Sequence, residues 1–361
     1  MTPDAGPAGT APARDRHAAN GTTPWRRVLA STAIVAGLAL LGIAGFLALR
    51  HAQAPPAYRY VVGGIIAPAN LGPLAPLAGR GVAVHSGTVV GADGKAFADF
   101  TFAASKSGPV LLDWQPKIDP PFLSMPVPTS EIADLAPVLG RHVNTGEPVL
   151  AWWDTSRALG LLVDADLPLR APVGVPLFIP RQWHDRTAGV EAIESSFWKL
   201  TSDTAARTRF DRFTNALLAN ETDGIAALRE LAGGKPAVLA LNVRDVLLLG
   251  QIAPARIGVA FRDFPNSGDV HGMVPAVYGW MREHGYPSYT VVRARDGTEV
   301  RAIALTDAAS GKTLAARLLP FVGNEQSAVP GTVLVFKTGG FWVYRIEPAA
   351  TPPPATGRAA P

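Results

Sequence analysis

The 361-residue chain contains no cysteine. That absence removes disulfides, thiol nucleophiles, cysteine-ligated iron–sulfur clusters and C-x-x-C-H haem attachment. It fits an oxidising compartment without assigning one, because cytosolic chains can also lack cysteine. Charge is scarce as well. Charged residues make up 17% of the chain and the formal net charge is only +4, with no long Lys/Arg run, which argues against nucleic acid as a partner. The motifs of common cofactor chemistry are missing: no G-x-G-x-x-G, no Walker A, no G-x-S-x-G and no H-E-x-x-H. Gly311-Lys312-Thr313 lacks the leading glycine of a phosphate loop and reads as a turn. The expectation is a protein with neither a metal nor another cofactor.

What is abundant is apolar residues, at 48%, enough for a sizeable core and too many for a disordered chain. The 22 residues from Val28 to Leu49 carry no charge. As a helix they span roughly 33 Å, enough for a hydrocarbon core of about 30 Å. Arg26 and Arg27 precede the run, and the tail 1–27 holds Arg14 and Arg16 too, against two aspartates. The positive-inside bias places this tail in the cytoplasm, although Arg50 counts the other way. Ala52-Gln53-Ala54 raises the alternative of a cleaved signal peptide, with Arg26-Arg27 like a twin-arginine signal. The long apolar run, the long tail before it and the prolines at 55 and 56 favour an uncleaved anchor. Gly37, Gly42 and Gly45 stud the helix, without a G-x-x-x-G pair.

These readings give six segments: a disordered cytoplasmic tail 1–27, a transmembrane helix 28–49, a linker 50–57, a β-rich portion 58–145, an α/β portion 146–347 with terminal hairpins, and a disordered tail 348–361. In the β-rich portion, Tyr58–Val62 and Val82–Val84 read as strands. Thr88–Val90 and Ala96–Phe102 flank the turn Gly91-Ala92-Asp93-Gly94-Lys95. Gln115–Pro128 holds five prolines and is read as irregular. A helix follows, capped by Thr129 or Ser130. From Glu147 strands alternate with helices. Strands are expected at Pro148–Trp153, Leu177–Ile179, Ala237–Leu241, Ile257–Phe261 and Tyr289–Arg293. Helices are expected at Thr155–Leu162, Ala188–Lys199, Ala205–Ala219, Asp223–Ala232, Val243–Leu249 and Val274–His284. Alternation of this kind favours parallel pairing. Turns at Arg295-Asp296-Gly297-Thr298 and Thr338-Gly339-Gly340 close two hairpins. The fold class is therefore α/β, a mixed sheet with flanking helices outside the membrane, preceded by one N-terminal transmembrane helix.

Polar groups concentrate in three places. Trp152-Trp153-Asp154-Thr155-Ser156-Arg157 lies where a strand gives way to a helix, the edge at which open α/β sheets bind ligands and helix N-termini favour anions. Asp154 equally serves as a helix cap paired with Arg157. Asn242-Val243-Arg244-Asp245 follows a buried strand. Adjacent Arg and Asp point different ways on a helix, so one needs a partner elsewhere, unless both sit at the surface as a weak pair. Arg262-Asp263-Phe264 with Gly268-Asp269-Val270-His271 is the densest cluster. Asp263, Asp269 and His271 could orient a proton-transfer histidine, but the spacing is poor for a metal, and a hydrogen-bonded loop histidine is the plainer reading. The candidate catalytic residues are thus Asp154, Asp263 and His271. The candidate ligand-binding residues are Trp153, Arg157, Arg244, Asp245, Arg262 and Asp269. The eight tryptophans read first as core packing.

Four strings carry a resemblance: Ala151 to Arg157, Val243 to Gln251, Val259 to Val274, and Gly339-Gly340-Phe341-Trp342-Val343-Tyr344. Together with the anchor and the length, they resemble the hydroxylamine oxidation protein HaoB over most of 58–347. The resemblance implies a non-enzymatic accessory protein of hydroxylamine oxidation in nitrification. It would be single-pass in the inner membrane, N-terminus cytoplasmic and main domain periplasmic, docking or assisting the multihaem hydroxylamine oxidoreductase. It brings no catalytic residues with it. A second, local resemblance is that of Trp152-Trp153-Asp154 to the W-W-D-Y-G motif of oligosaccharyltransferase catalytic subunits. Thr155 and Ser156 replace the Tyr and Gly, and the many-helix membrane domain is missing. It implies, as an alternative, a membrane-anchored α/β ligand-binding or glycosyltransferase-related domain using Asp154, Arg157 and His271.

Overall fold

A computed structural model of the chain describes residues 24–52, 56–117, 127–174, 181–200, 203–266, 270–293 and 299–348, with the backbone alone at some of them, including 270–272. The chain divides into two units, Met1–Pro55 and Pro56–Pro361. In the first, α1 (Pro24–Ala52) is a single helix of 29 residues. Its exposed apolar side chains include Leu29, Val35, Leu38, Leu40, Leu41, Ile43 and Phe46. At 100° per residue these positions run right round the helix, so no polar stripe separates an inner from an outer face. Among the described residues, which leave out parts of the side-chain surface of α1, no helix is long and apolar enough to cross a membrane.

The described residues of the second unit form three sheets. The first is an antiparallel meander of β1 (Tyr58–Ile65), β2 (Val84–Gly91), β3 (Ala96–Ala103) and β4 (Val110–Pro116), with the short α2 (Ala75–Gly79) between β1 and β2. The expected turn at 91–95 is there, with Gly94 at φ +80° and Lys95 N–H donating to Asp93 Oδ1 at 3.0 Å. Strand β4 was not expected. Its last two residues, Gln115 and Pro116, lie at the start of the proline-rich stretch read as irregular, and an edge strand tolerates a terminal proline. The period of two sorts the sheet into two faces. Tyr58, Val89, Phe100 and Phe102 turn inward onto Val190 and Trp198 of α5 (Thr187–Trp198). The strand expected at Leu177–Ile179 lies outside the described residues.

The second sheet has the order β10–β11–β6–β5, from β5 (Val149–Ala151), β6 (Ala237–Asn242), β10 (Thr332–Thr338) and β11 (Phe341–Ile346). The third has the order β7–β9–β8, from β7 (Val259–Pro265), β8 (Ser288–Arg293) and β9 (Glu299–Leu305). Around them lie α3 (Thr129–His142), α4 (Trp153–Leu162), α6 (Thr204–Leu217), α7 (Glu221–Leu231), α8 (Arg244–Ile252), α9 (Val270–His284) and α10 (Leu314–Leu318).

The expected run of parallel pairs is corrected. Among the described residues only β5 and β6 pair as parallel strands; the other described strand neighbours are antiparallel. The reason is topological. Strand β11 comes back from β10 through a hairpin and takes the place beside β6 that a further parallel strand would fill, while β7, β8 and β9 pair among themselves. Several boundaries also move. Trp153 opens α4 instead of ending a strand, and the first turn of α9 already includes His271. The residue capping α3 is Pro128, with no side-chain cap. The Thr129 hydroxyl instead donates to Leu112 O at 2.8 Å and contacts Asp113 Oδ1 at 3.0 Å, tying α3 to β4.

Every residue of β6 is buried. Ala237, Leu239 and Leu241 join one core with Phe210, Phe213 and Leu217 of α6, while Val238 and Ala240 join a second with Leu135 and Leu139 of α3 and Leu112 of β4. A strand covered on both faces must be apolar throughout, and this one is until Asn242. We expect Leu239→Ala to cost about 2–5 kcal/mol. Leu334→Ala, on exposed β10, should stay within about 0.5 kcal/mol. Urea melts of the two variants check this, and equal losses would refute the two-faced burial of β6.

Candidate functional site

Because β5 and β6 are parallel, their carboxyl ends lie side by side, and each runs directly into a helix. Ala151 leads to α4 and Asn242 to α8. Strand β11 is antiparallel to β6 with Phe341 opposite Asn242, which brings the Gly339-Gly340 turn to the same edge. Gly339 has φ +52°, and a Cβ on it would lie 2.6 Å from the Glu131 carboxyl carbon, so both the turn and its neighbour require glycine.

Two of the three sequence clusters converge here. Arg244 of α8 reaches across to α4, its Nη2 donating to Asp154 Oδ1 at 2.7 Å and to Thr155 Oγ1 at 3.3 Å. Its Nε lies 3.4 Å from Asp245 Oδ1. Asp245 Oδ2 accepts the Asn242 N–H at 2.9 Å, and Asn242 Oδ1 accepts the Arg244 N–H at 3.0 Å. Asn242 Nδ2 donates to Glu131 Oε2 at 3.0 Å, which also accepts the Gly340 N–H at 2.9 Å. Asp245 is only 2% exposed. Burial pushes its carboxyl up to about 7, while the Arg244 charge and the Asn242 hydrogen bond pull against it. For Arg244, burial opposes the charge, but Asp154 and Asp245 outweigh it and raise its pKa. The two shifts pull differently on the Arg244–Asp245 contact. The 2.7 Å hydrogen bond makes Asp154 the firmer counter-ion.

Asp154 does not cap its helix. The capping position is Trp152, without a side-chain bond, and Asp154 Oδ1 instead accepts the Thr155 N–H at 2.6 Å. Arg157 turns away, donating from Nη2 to Pro109 O at 2.9 Å and lying 5.7 Å from the Trp153 ring centre. Its burial lowers its pKa against the pull of Asp154. The third cluster is only partly visible. Asp263 is paired through both oxygens with Arg301, opposite it on β9, at 2.7 and 2.8 Å. Arg262 is exposed and stacks over Phe264 at 5.3 Å. Asp269 and the side chain of His271 lie outside the described residues. Among the described residues no group of three or more His, Asp or Glu side chains is placed to hold a metal ion.

Two sets of residues escaped the sequence reading. Glu131 looked like part of a helix start, yet its partner Gly340 is 209 positions away. The other set lies between the first sheet and α5. Tyr58 OH and Tyr60 OH both donate to Glu194 Oε1, at 2.5 and 2.7 Å, and Trp198 Nε1 donates to Tyr60 OH at 3.1 Å. Burial raises the pKa of Glu194, and burial with the Glu194 charge raises both tyrosines. The aromatic spacing around 58–60 and 197–198 was the available signal.

What fold and site define is a mixed α/β protein whose polar groups at the β5–β6 edge are bonded chiefly to one another. The model of the family described as HaoA-associated protein HaoB matches residues 23–346, and the chain belongs to that family. No curated protein and no solved structure matches the chain.

Two outcomes follow for the network. Arg244→Met leaves Asp154 and Asp245 without their cation and should destabilise the protein by about 3–5 kcal/mol in chemical denaturation; a loss below about 1 kcal/mol would refute the buried pairing. Asp245 supplies the second. Its folded pKa, about 7, lies above its ordinary value, so the folded state binds more protons between pH 4 and 7. The stability from this group is full below its ordinary pKa and is lost as pH rises through 7. Asp245→Asn should therefore flatten the decline in melting temperature from pH 5 to 8. An unchanged slope would contradict the raised pKa.

Proposed function

We propose that this protein is anchored in the inner membrane by α1, with its N-terminal tail in the cytoplasm and the unit Pro56–Pro361 in the periplasm. There it acts as an accessory protein of hydroxylamine oxidation that docks or assists HaoA, the multihaem hydroxylamine oxidoreductase. The family match carries this reading: it names association with HaoA and begins at residue 23, so that it takes in α1 together with the folded unit. Two features support it. Within α1 the 22 residues Val28–Leu49 carry no charge, and the exposed apolar side chains among them are spread round the helix. The groups at the strand edge are also held by internal hydrogen bonds, which suits a rigid frame better than a site that must receive a substrate.

Since the chain has no cysteine, single thiols report its topology directly. A membrane-impermeant maleimide added to spheroplasts should label Lys106→Cys, and Thr10→Cys only after lysis; the reverse pattern would overturn the orientation. Affinity capture of the intact protein in mild detergent should bring down HaoA, visible by its haem absorbance. Capture without any haem protein would sink the docking role.

A further inference from the structure

We infer that the open face of the first sheet is a binding site for a neutral, polyhydroxylated ligand of the glycan class. The register builds it from two rows of side chains. One row runs Val61, Thr88, Asp99, Gln115 across all four strands, and the next runs Ser86, Thr101, Asp113. Together with Gly63 they line a cavity of about 370 Å³, within the size range of small-molecule sites. Short hydroxyl side chains on β2 and β3 keep the floor low. Gly63 keeps the β1 wall bare, since a Cβ there would come within 2.5 Å of Ser86 Oγ. The opposite face is packed against α5 by the aromatic cluster, so the floor is rigid before any ligand arrives.

The hydrogen-bonding inventory selects the ligand. Asp99 is compensated already, accepting from Thr88 Oγ1 at 2.9 Å and pairing with Lys117 Nζ at 2.7 Å. Asp113 lies 3.0 Å from Thr129 Oγ1 and accepts from Gln115 Nε2 at 3.2 Å. A cationic ligand at Asp99 would have to displace Lys117, and an anionic one would meet two carboxylates. Asp99 nevertheless keeps spare lone pairs. The Thr101 hydroxyl and the Gln115 carbonyl oxygen have no protein partner among the described residues. Acceptors beside hydroxyls that both give and take suit a ligand whose neighbouring groups do the same, which is the chemistry of sugar hydroxyls. Val61, 43% exposed, and the bare glycine backbone offer the apolar contact that a sugar's C–H face needs.

The test uses the full-length protein in phospholipid nanodiscs, free of glycoside detergents. Cellotetraose, maltotetraose and chitotetraose are titrated by calorimetry and ligand-observed NMR, with spermidine and citrate as the charged controls. At least one tetrasaccharide should bind. Thr101→Val and Gln115→Ala should each weaken it by about tenfold, the weight of one hydrogen-bonding group, with unchanged melting temperatures. Gln115 is exposed, so its variant stands should Thr101→Val fail to fold. No binding of any tetrasaccharide at millimolar concentration would overturn the inference. Binding indifferent to Gln115→Ala, or a preference for spermidine or citrate, would do the same.

Discussion

Arg244 is a cation withdrawn from water, and much of the folded unit is arranged around keeping it charged. An unpaired charge at such depth is far more costly than any single hydrogen bond is favourable. Asp154 therefore has to come from α4, and Asp245 from the residue next to Arg244 in α8. Asn242 holds Asp245 in turn, Glu131 holds Asn242, and the hairpin backbone at Gly340 completes Glu131. Four segments far apart in sequence meet because each satisfies a polar group that another would leave bare. The geometry is made possible by the parallel pair β5 and β6, whose ends deliver two helix starts to one place.

The first sheet shows the same economy of pattern in a different form. Its residues alternate between a face of tyrosine, phenylalanine and tryptophan and a face of hydroxyls, carboxylates and an amide. On the inner face Glu194 is a buried carboxyl whose surroundings supply two phenol donors to one oxygen. On the outer face the carboxylates are balanced by Lys117 and by neighbouring hydroxyls. In both places most of the acid's partners come from across strands or from a packed helix, although Gln115 lies only two residues from Asp113.

That difference between near and far neighbours also marks what could be read in the sequence. The hairpin turns at Gly91–Lys95 and Thr338–Gly340, the helices α5, α6 and α7 and the apolar β6 were all legible, because turn residues and apolar periodicity are local signals. Strand β4 was hidden by the prolines at its end. The pairing of β11 with β6 was hidden because alternating strands and helices say nothing about which strand is inserted between which. Asp154, Arg244 and Asp245 were picked out for lying after strands, and the structure brings them together. Glu131 was missed because nothing near it in sequence announces a partner 209 positions on. The resemblance to HaoB rested on strings that now lie at the strand edge, in β7 and the start of α9, and in the final hairpin, and the family match extends it to residue 23.

The position of β11 has a consequence for how the protein is made. This strand, Phe341–Ile346, is the last of the described strands, yet it is an inner strand of the second sheet, between β10 and β6. Until residue 346 has emerged, β6 has one open edge and Glu131 lacks its backbone donor. The sheet cannot close from the front as the chain appears; it has to wait for residue 346. A chain released early, even a few residues short of β11, is left with an exposed apolar strand edge of the kind that draws chains into aggregates. Emergence of residues 341–346 thus becomes a condition for closing the second sheet.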